Sequence, residues 1–195
     1  MDMCTTNKAA EILGVSAEII QLWIECDILK AWKTPGGHRR ITLASIQKVA
    51  IKDKALIASK VAFEDADFTL LYVEDDEATA DLISQLVENL KLNLKVRRAF
   101  NGHDALISFA DIKPDLVITD LNMPRINGFD MIRHIRNNKH FSNTNIAVVT
   151  GLDKFQIIEQ GGLPDDIEIF SKPAPFEVLA QLIKFLVMKK NNLTH

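Results

Sequence analysis

The stretch DLVITDLNMPRINGFD, residues 115–130, decides the fold of the carboxyl-terminal two thirds of the chain. Leu116-Val117-Ile118 is uniformly apolar, as a strand buried on both faces must be. Asp120 closes that strand, and Pro124 and Asn127-Gly128 break the chain into a loop before a helical stretch at 128–138. Working outward, the same strand-then-helix unit recurs. Short apolar runs stand at 69–73, 94–100, 146–150 and 167–171, and helical stretches follow at 77–91, 102–111, 152–160 and 175–189. Five such pairs in strict alternation predict a doubly wound α/β domain, a parallel five-stranded sheet covered by helices on both faces. Its bounds are 68–191. Residues 60–67 mix charges without a period and read as a linker, which leaves 1–59 as a smaller, mainly α-helical unit.

In a parallel sheet, ligands bind beyond the carboxyl ends of the strands. Those ends carry Glu74-Asp75-Asp76 after the first strand, Asp120 after the third, Thr150-Gly151 after the fourth and Lys172-Pro173 after the fifth. Carboxylates gathered on one rim repel one another unless a hard cation sits among them, and oxygen-only ligands suit Mg²⁺. With that charge present, Asp120 can attack a phosphoryl group as a carboxylate nucleophile, with Lys172 and Thr150 placed to stabilise the transferred oxygens.

The motifs LLYVEDD, DLVITDLNMPRINGFD, AVVTG and FSKP together resemble the receiver domain of two-component response regulators, over essentially all of residues 68–190. The resemblance implies a flavodoxin-like (βα)5 fold and a division of labour. Asp120 is then the phosphoacceptor, fed by a sensor histidine kinase or phosphotransfer protein. Glu74, Asp75, Asp120 and the backbone carbonyl of Asn122 hold Mg²⁺. Thr150 and Lys172 contact the phosphoryl oxygens, with a cis peptide before Pro173. It implies no enzyme beyond self-phosphorylation from a donor and slow dephosphorylation. Hydrolases that use an acceptor aspartate on such a sheet favour a second aspartate two places on, where this chain has Asn122. Receivers also carry an aromatic switch residue three places before the lysine; here that place holds Ile169, so the relay from Thr150 is expected to be weakened or replaced. Gly161-Gly162 predicts a short fourth helix.

In the last helix, Phe176, Leu179, Ile183 and Leu186 form the stripe toward the sheet. Val178, Leu182 and Phe185 form a second row at i, i+4, i+7, wider than one buried face requires. That row predicts a homodimer surface.

The amino end reads as helix, glycine turn, helix, hairpin, helix. Thr6-Asn7 opens a helix with Ala9, Ala10 and Leu13 inward, and Gly14 stops it. Ser16 caps a second helix with Ile20, Trp23 and Ile24 on one face. Pro35-Gly36-Gly37 turns a hairpin, and Thr42 caps a third helix toward Ser59, with Val49, Leu56 and Phe63 at steps of seven. Residues 1–60 hold nine Lys/Arg against six Asp/Glu, and the remainder is acidic. Charge alone fits either a docked polyanion such as DNA or a solvated basic face with no partner. The segment 5–41, TPGGHRR above all, resembles MerR and excisionase-like winged helix-turn-helix domains, more loosely to about residue 57. The resemblance implies that double-stranded DNA is bound. Gly37, His38, Arg39, Arg40 and Lys33 meet phosphates, and the helix opened by Ser16 enters the major groove with Glu18, Gln21, Leu22 and Glu25 outward. That helix carries no Lys or Arg, so affinity is expected to rest on the wing, on Lys48 and on Lys52. Trp32 is expected beneath the wing. The whole reads as a DNA-binding response regulator controlling transcription; the alternative is a protein-interaction adaptor whose helix-turn-helix no longer binds DNA.

Composition, 47% hydrophobic and 25% charged, is that of a soluble globular protein. No apolar run approaches the ~18 residues of a membrane span, and no secretory leader opens the chain, so a cytoplasmic location is expected. Cys4 and Cys26 lack a pairing motif and read as reduced thiols. His103, His134, His140 and His195 show no metal spacing.

Overall fold

The computed structural model describes residues 2–52 and 68–193. The amino-terminal unit runs β1 (Met3–Cys4), α1 (Thr6–Leu13), α2 (Ala17–Glu25), β2 (Ala31–Lys33), β3 (Arg39–Thr42) and α3 (Leu43–Lys52). The larger unit runs β4 (Phe68–Val73), α4 (Glu77–Asn89), β5 (Leu94–Ala99), α5 (Gly102–Ile112) and β6 (Leu116–Thr119). It continues through α6 (Gly128–Asn137), β7 (Asn145–Thr150), α7 (Lys154–Glu159), β8 (Glu168–Ser171) and α8 (Phe176–Leu193). The expected linker at 60–67, the helix beyond Lys52, and Leu56, Phe63 and His195 lie outside the described residues.

The five strands are parallel in the order β5-β4-β6-β7-β8. Side chains alternate faces along each strand. Phe68, Leu70 and Tyr72 of β4, Leu116 and Ile118 of β6, and Ala147 and Val149 of β7 pack under α4 and α8. Leu71, Val73, Val117, Ile146 and Val148 face the opposite layer, built by α5 and α6. Caps fix where the helices begin: Asp76, Asn101, Asn127 and Asp153 each accept a backbone N–H of the first turn. α7 has six residues and stops before Gly161 and Gly162, both at positive φ, so the expected short fourth helix is present. Ile169 is exposed while its neighbour Phe170 packs into the α4–α8 layer, as strand alternation requires.

In the amino-terminal unit, β1, β3 and β2 form an antiparallel sheet, and β1 was not foreseen. Thr5, one residue earlier than expected, caps α1; Gly14 ends it at φ 68°. Ser16 caps α2 and Thr42 opens α3. Trp32 is half exposed and does not lie beneath the wing, because its place on the short hairpin faces solvent. Cys26 is free and buried, and burial pushes its thiol up to about 12, leaving it unreactive at neutral pH. Cys4 is also unpaired. Among the described residues no helix is long and apolar enough to cross a membrane.

The two units share one core. Helix α2 packs on α5 and α6, and the buried apolar residues of the amino end run continuously into those of the sheet's α5–α6 side. The indole N–H of Trp23 donates to the carbonyl of Leu106 at 3.0 Å. Leu22, expected outward, is fully buried. It joins the core that the two units share, and α2 has a second domain against it, which a reading of one unit alone does not supply.

Candidate functional site: an acidic rim with one ammonium

The parallel register brings the strand ends together. Lys172, just past β8, lies alongside the end of β7 because its N–H donates to the Thr150 carbonyl at 2.9 Å. Its ammonium meets the Asp120 carboxylate at 2.8 Å and the Glu74 carboxylate at 2.7 Å. Glu74, Asp75 and Asp120 each offer a carboxylate oxygen within 4.8 Å of the others. Glu74 and Asp120 are buried and Asp75 is exposed, so the cluster opens to solvent on one side.

One ammonium faces three carboxylates, and the donor set is all oxygen. That excess negative charge with hard ligands fits a divalent cation of the Mg²⁺ kind. Burial raises the pKa of Glu74, against the lowering pull of the Lys172 hydrogen bond and charge. For Lys172 burial acts to lower the pKa, but hydrogen bonds to Asp120 and Glu74 overcome it and hold the ammonium above its ordinary value. The amine is therefore a fixed positive charge at neutral pH.

Backbone donors fix the Asp120 carboxylate. Asp120 Oδ1 takes the N–H of Leu121 at 2.6 Å and that of Asn122 at 3.3 Å, which leaves Oδ2 to Lys172. Gly128 is required behind it, because a Cβ there would collide with the Asp120 carbonyl and the Leu121 backbone. Thr150 is buried at the end of β7, its hydroxyl accepting the N–H of Leu152 at 3.3 Å. The peptide before Pro173 is cis. Sequence reasoning missed Tyr72, whose hydroxyl donates to Glu74 at 3.4 Å. The i, i+2 spacing on a strand was the available signal.

At the amino end, Lys33, Gly37, His38 and Lys48 are exposed. His38, Arg39 and Arg40 line a cleft of about 310 Å³ together with Thr5, Thr6 and Asn7 at the start of α1. Arg39, however, pairs with Glu25 of α2 at 3.5 Å, so it is partly committed within the unit. Of the expected groove-facing residues, Gln21 and Glu25 are exposed and Leu22 is not. Ser16 and Glu18 line a cleft with Lys113 and His140 of the larger unit. The Glu18 carboxyl is held below its ordinary value, first by the Ser16 hydroxyl.

On α8, Val178 and Phe185 are exposed, as is Met188, three residues beyond the expected row. Leu182 is partly buried against the core, so it serves the fold more than any outer surface.

A family model described as response regulator receiver domain matches residues 70–184, more than half of the chain. The chain belongs to the response regulator receiver domain family. The matched portion is a receiver domain and not itself a catalytic one. The transcriptional regulatory protein YvcP of Bacillus subtilis (strain 168) is 33% identical over 126 residues, 63% of this chain and 49% of that protein. Protein PilG of Pseudomonas aeruginosa is 29% identical over 62% of this chain and 89% of its own length. Among solved structures, the receiver domain of a DNA binding response regulator protein (merR) from Colwellia psychrerythraea 34H is 33% identical. It superposes with a TM-score of 0.55 over 62% of this chain and 98% of that one. The chain spans about half the length of YvcP, and these likenesses concern its receiver portion.

Proposed function

We propose that this receiver is phosphorylated on Asp120 with Mg²⁺ bound, and that the amino-terminal unit carries the resulting signal to double-stranded DNA to regulate transcription in the cytoplasm. The observation that carries the first part is the Lys172 ammonium, shared by Asp120 and Glu74 at 2.8 and 2.7 Å beside Asp75. A carboxylate oxygen of Asp120 attacks phosphorus, the bond from phosphorus to its donor breaks, and an acyl phosphate remains. The donor is a sensor histidine kinase or phosphotransfer protein. Glu74, Asp75, Asp120 and the Asn122 carbonyl would hold the metal, which supplies charge neutralisation on the transferred oxygens. Lys172 and Thr150 bind those oxygens, and Asn122 is placed two residues on to orient water for slow release.

DNA contact is supported by the exposed wing, by the cleft it forms with the amino end of α1, and by the MerR and excisionase-like resemblance of residues 5–41. Helix amino ends and cationic side chains both favour phosphate. The receiver from the Colwellia DNA binding response regulator protein points the same way. The adaptor alternative draws support from the burial of Leu22, which removes an apolar contact from the groove-facing set.

Incubation with acetyl phosphate tests the phosphorylation reading. With Mg²⁺, a slower band in a phosphate-affinity gel is expected; with excess EDTA, none. Equal labelling in both would remove the metal from the reading.

The exposed Val178, Phe185 and Met188 of α8 support a homodimer through this helix. Sedimentation of Phe185→Glu is expected to show a smaller assembly than wild type. An unchanged coefficient would argue against this face.

A further inference from the structure

We propose that α2 is a docking helix, seated permanently on α5 and α6 of the receiver, and that the wing and the start of α1 meet DNA while α2 stays in place. This rests on the DNA-binding reading above and specifies which surface carries it. The first ground is the shape of the apolar face. Ile19, Ile20, Leu22, Trp23 and Cys26 are all buried. At 3.6 residues per turn they and Ile24 cover about 200° of the helix, twice the stripe that one partner layer needs. One flank serves the amino-terminal core, and the other is taken by the receiver. Trp23 joins them, its ring inside the shared core and its N–H on the Leu106 carbonyl of α5 at 3.0 Å.

The second ground is charge. What α2 leaves to solvent is Gln21 and Glu25, with Glu18 half-covered at its start. No cation stands among them. A freed α2 would bring two glutamates and a leucine toward phosphates, an arrangement that opposes binding. Glu25 instead holds Arg39 of the wing at 3.5 Å, so the docked helix orients the basic hairpin.

The third ground is what lies beneath. Both helices that seat α2 have their first residues against the loop that follows Asp120. The Gly102 N–H at the start of α5 donates to the Ile126 carbonyl at 2.9 Å. Gly128 at the start of α6 rests on the Asp120 carbonyl, with its N–H on Leu121 at 3.0 Å. A continuous line of contacts therefore runs from the acceptor loop through α5, α6 and α2 to the wing. This route does not use the aromatic switch that Ile169 replaces.

Trp23 reports directly on the joint. In a Trp32→Phe chain it is the one remaining tryptophan. Its emission and acrylamide quenching are measured in the free chain, with beryllium trifluoride and Mg²⁺, with a random-sequence duplex at low salt, and with both. Trp23 is expected to stay blue-shifted and shielded in all four. A red shift or a gain in quenching on adding duplex or mimic overturns permanent docking. In parallel, Gln21→Ala is expected to change duplex affinity by less than about fivefold, the least that a good base contact is worth. Arg40→Ala is expected to weaken it by more than that. A larger loss in Gln21→Ala overturns the proposal, because α2 then touches DNA. A wild-type chain with no duplex affinity overturns the DNA reading, and the mimic arm alone then decides the docking.

Discussion

Asp120→Asn is expected to take phosphoryl incorporation from acetyl phosphate to background while the chain stays folded. The substitution keeps the shape, and the amide oxygen can still accept the Leu121 and Asn122 N–H groups that hold the acceptor. It removes the nucleophilic carboxylate, and no nearby group replaces it. Asp75 is exposed, and Glu74 is buried with its oxygens turned to Lys172, Tyr72 and the Asp76 N–H. Lys172→Gln should fall between the two. The carboxylate remains, but the fixed charge on the developing oxygens is gone, a loss of about 10²–10³ in rate by analogy with other preorganised donors. A phosphate-affinity gel separates the three proteins in one experiment. Labelling of Asp120→Asn at the wild-type level would place the acceptor elsewhere and remove the basis of the regulatory reading.

Leu22→Glu carries the largest expected effect on stability. Leu22 is fully buried in the core that α2 shares with the receiver, so the variant places an unpaired carboxylate among apolar side chains. Lost apolar burial costs about 2 kcal/mol. Desolvation of the charge, or its neutralisation, adds at least as much. A total on the order of 4 kcal/mol is a large share of the ~5–15 kcal/mol that holds a domain folded. Denaturant unfolding should show a lower midpoint and split into two transitions as the amino-terminal unit releases. Gln21→Glu, one residue away on the exposed side, should stay within about 0.5 kcal/mol of wild type. If Leu22→Glu matched it, the seam would not exist in solution.

The receiver was legible in its sequence because two periodicities reinforced each other. Strands buried on both faces forced runs such as Leu116-Val117-Ile118, and the rim then had to hold whatever polar residues closed them. Lys172 and Glu74 are 98 positions apart, yet strict β-α alternation brings them to one end of one sheet. The amino end was less legible for a physical reason. A helix side chain that faces a second domain is chemically the same as one that faces solvent unprotected. Leu22 was accordingly expected outward, although the wide apolar arc of α2 already held the signal. Leu182 is expected outside for the converse reason: this helix buries more than one stripe against the sheet and its neighbour, and Val187 joins the core as well. Trp32 is expected beneath the wing, but a three-residue strand in a small hairpin has no layer to cover it. The pairing of Glu25 with Arg39 depends on how the hairpin folds back on α2, which no local pattern encodes.

The joint at α2 also governs who else can approach the receiver. The stretch of α5 and α6 that seats it is closed to any other macromolecule for as long as the joint holds. Under the proposed function, a phosphodonor then arrives over the acidic rim, steadied by α4 or by the loops that border it. The amino-terminal unit thus acts as a shield on one flank of the signalling domain, and it narrows the set of upstream proteins able to reach Asp120.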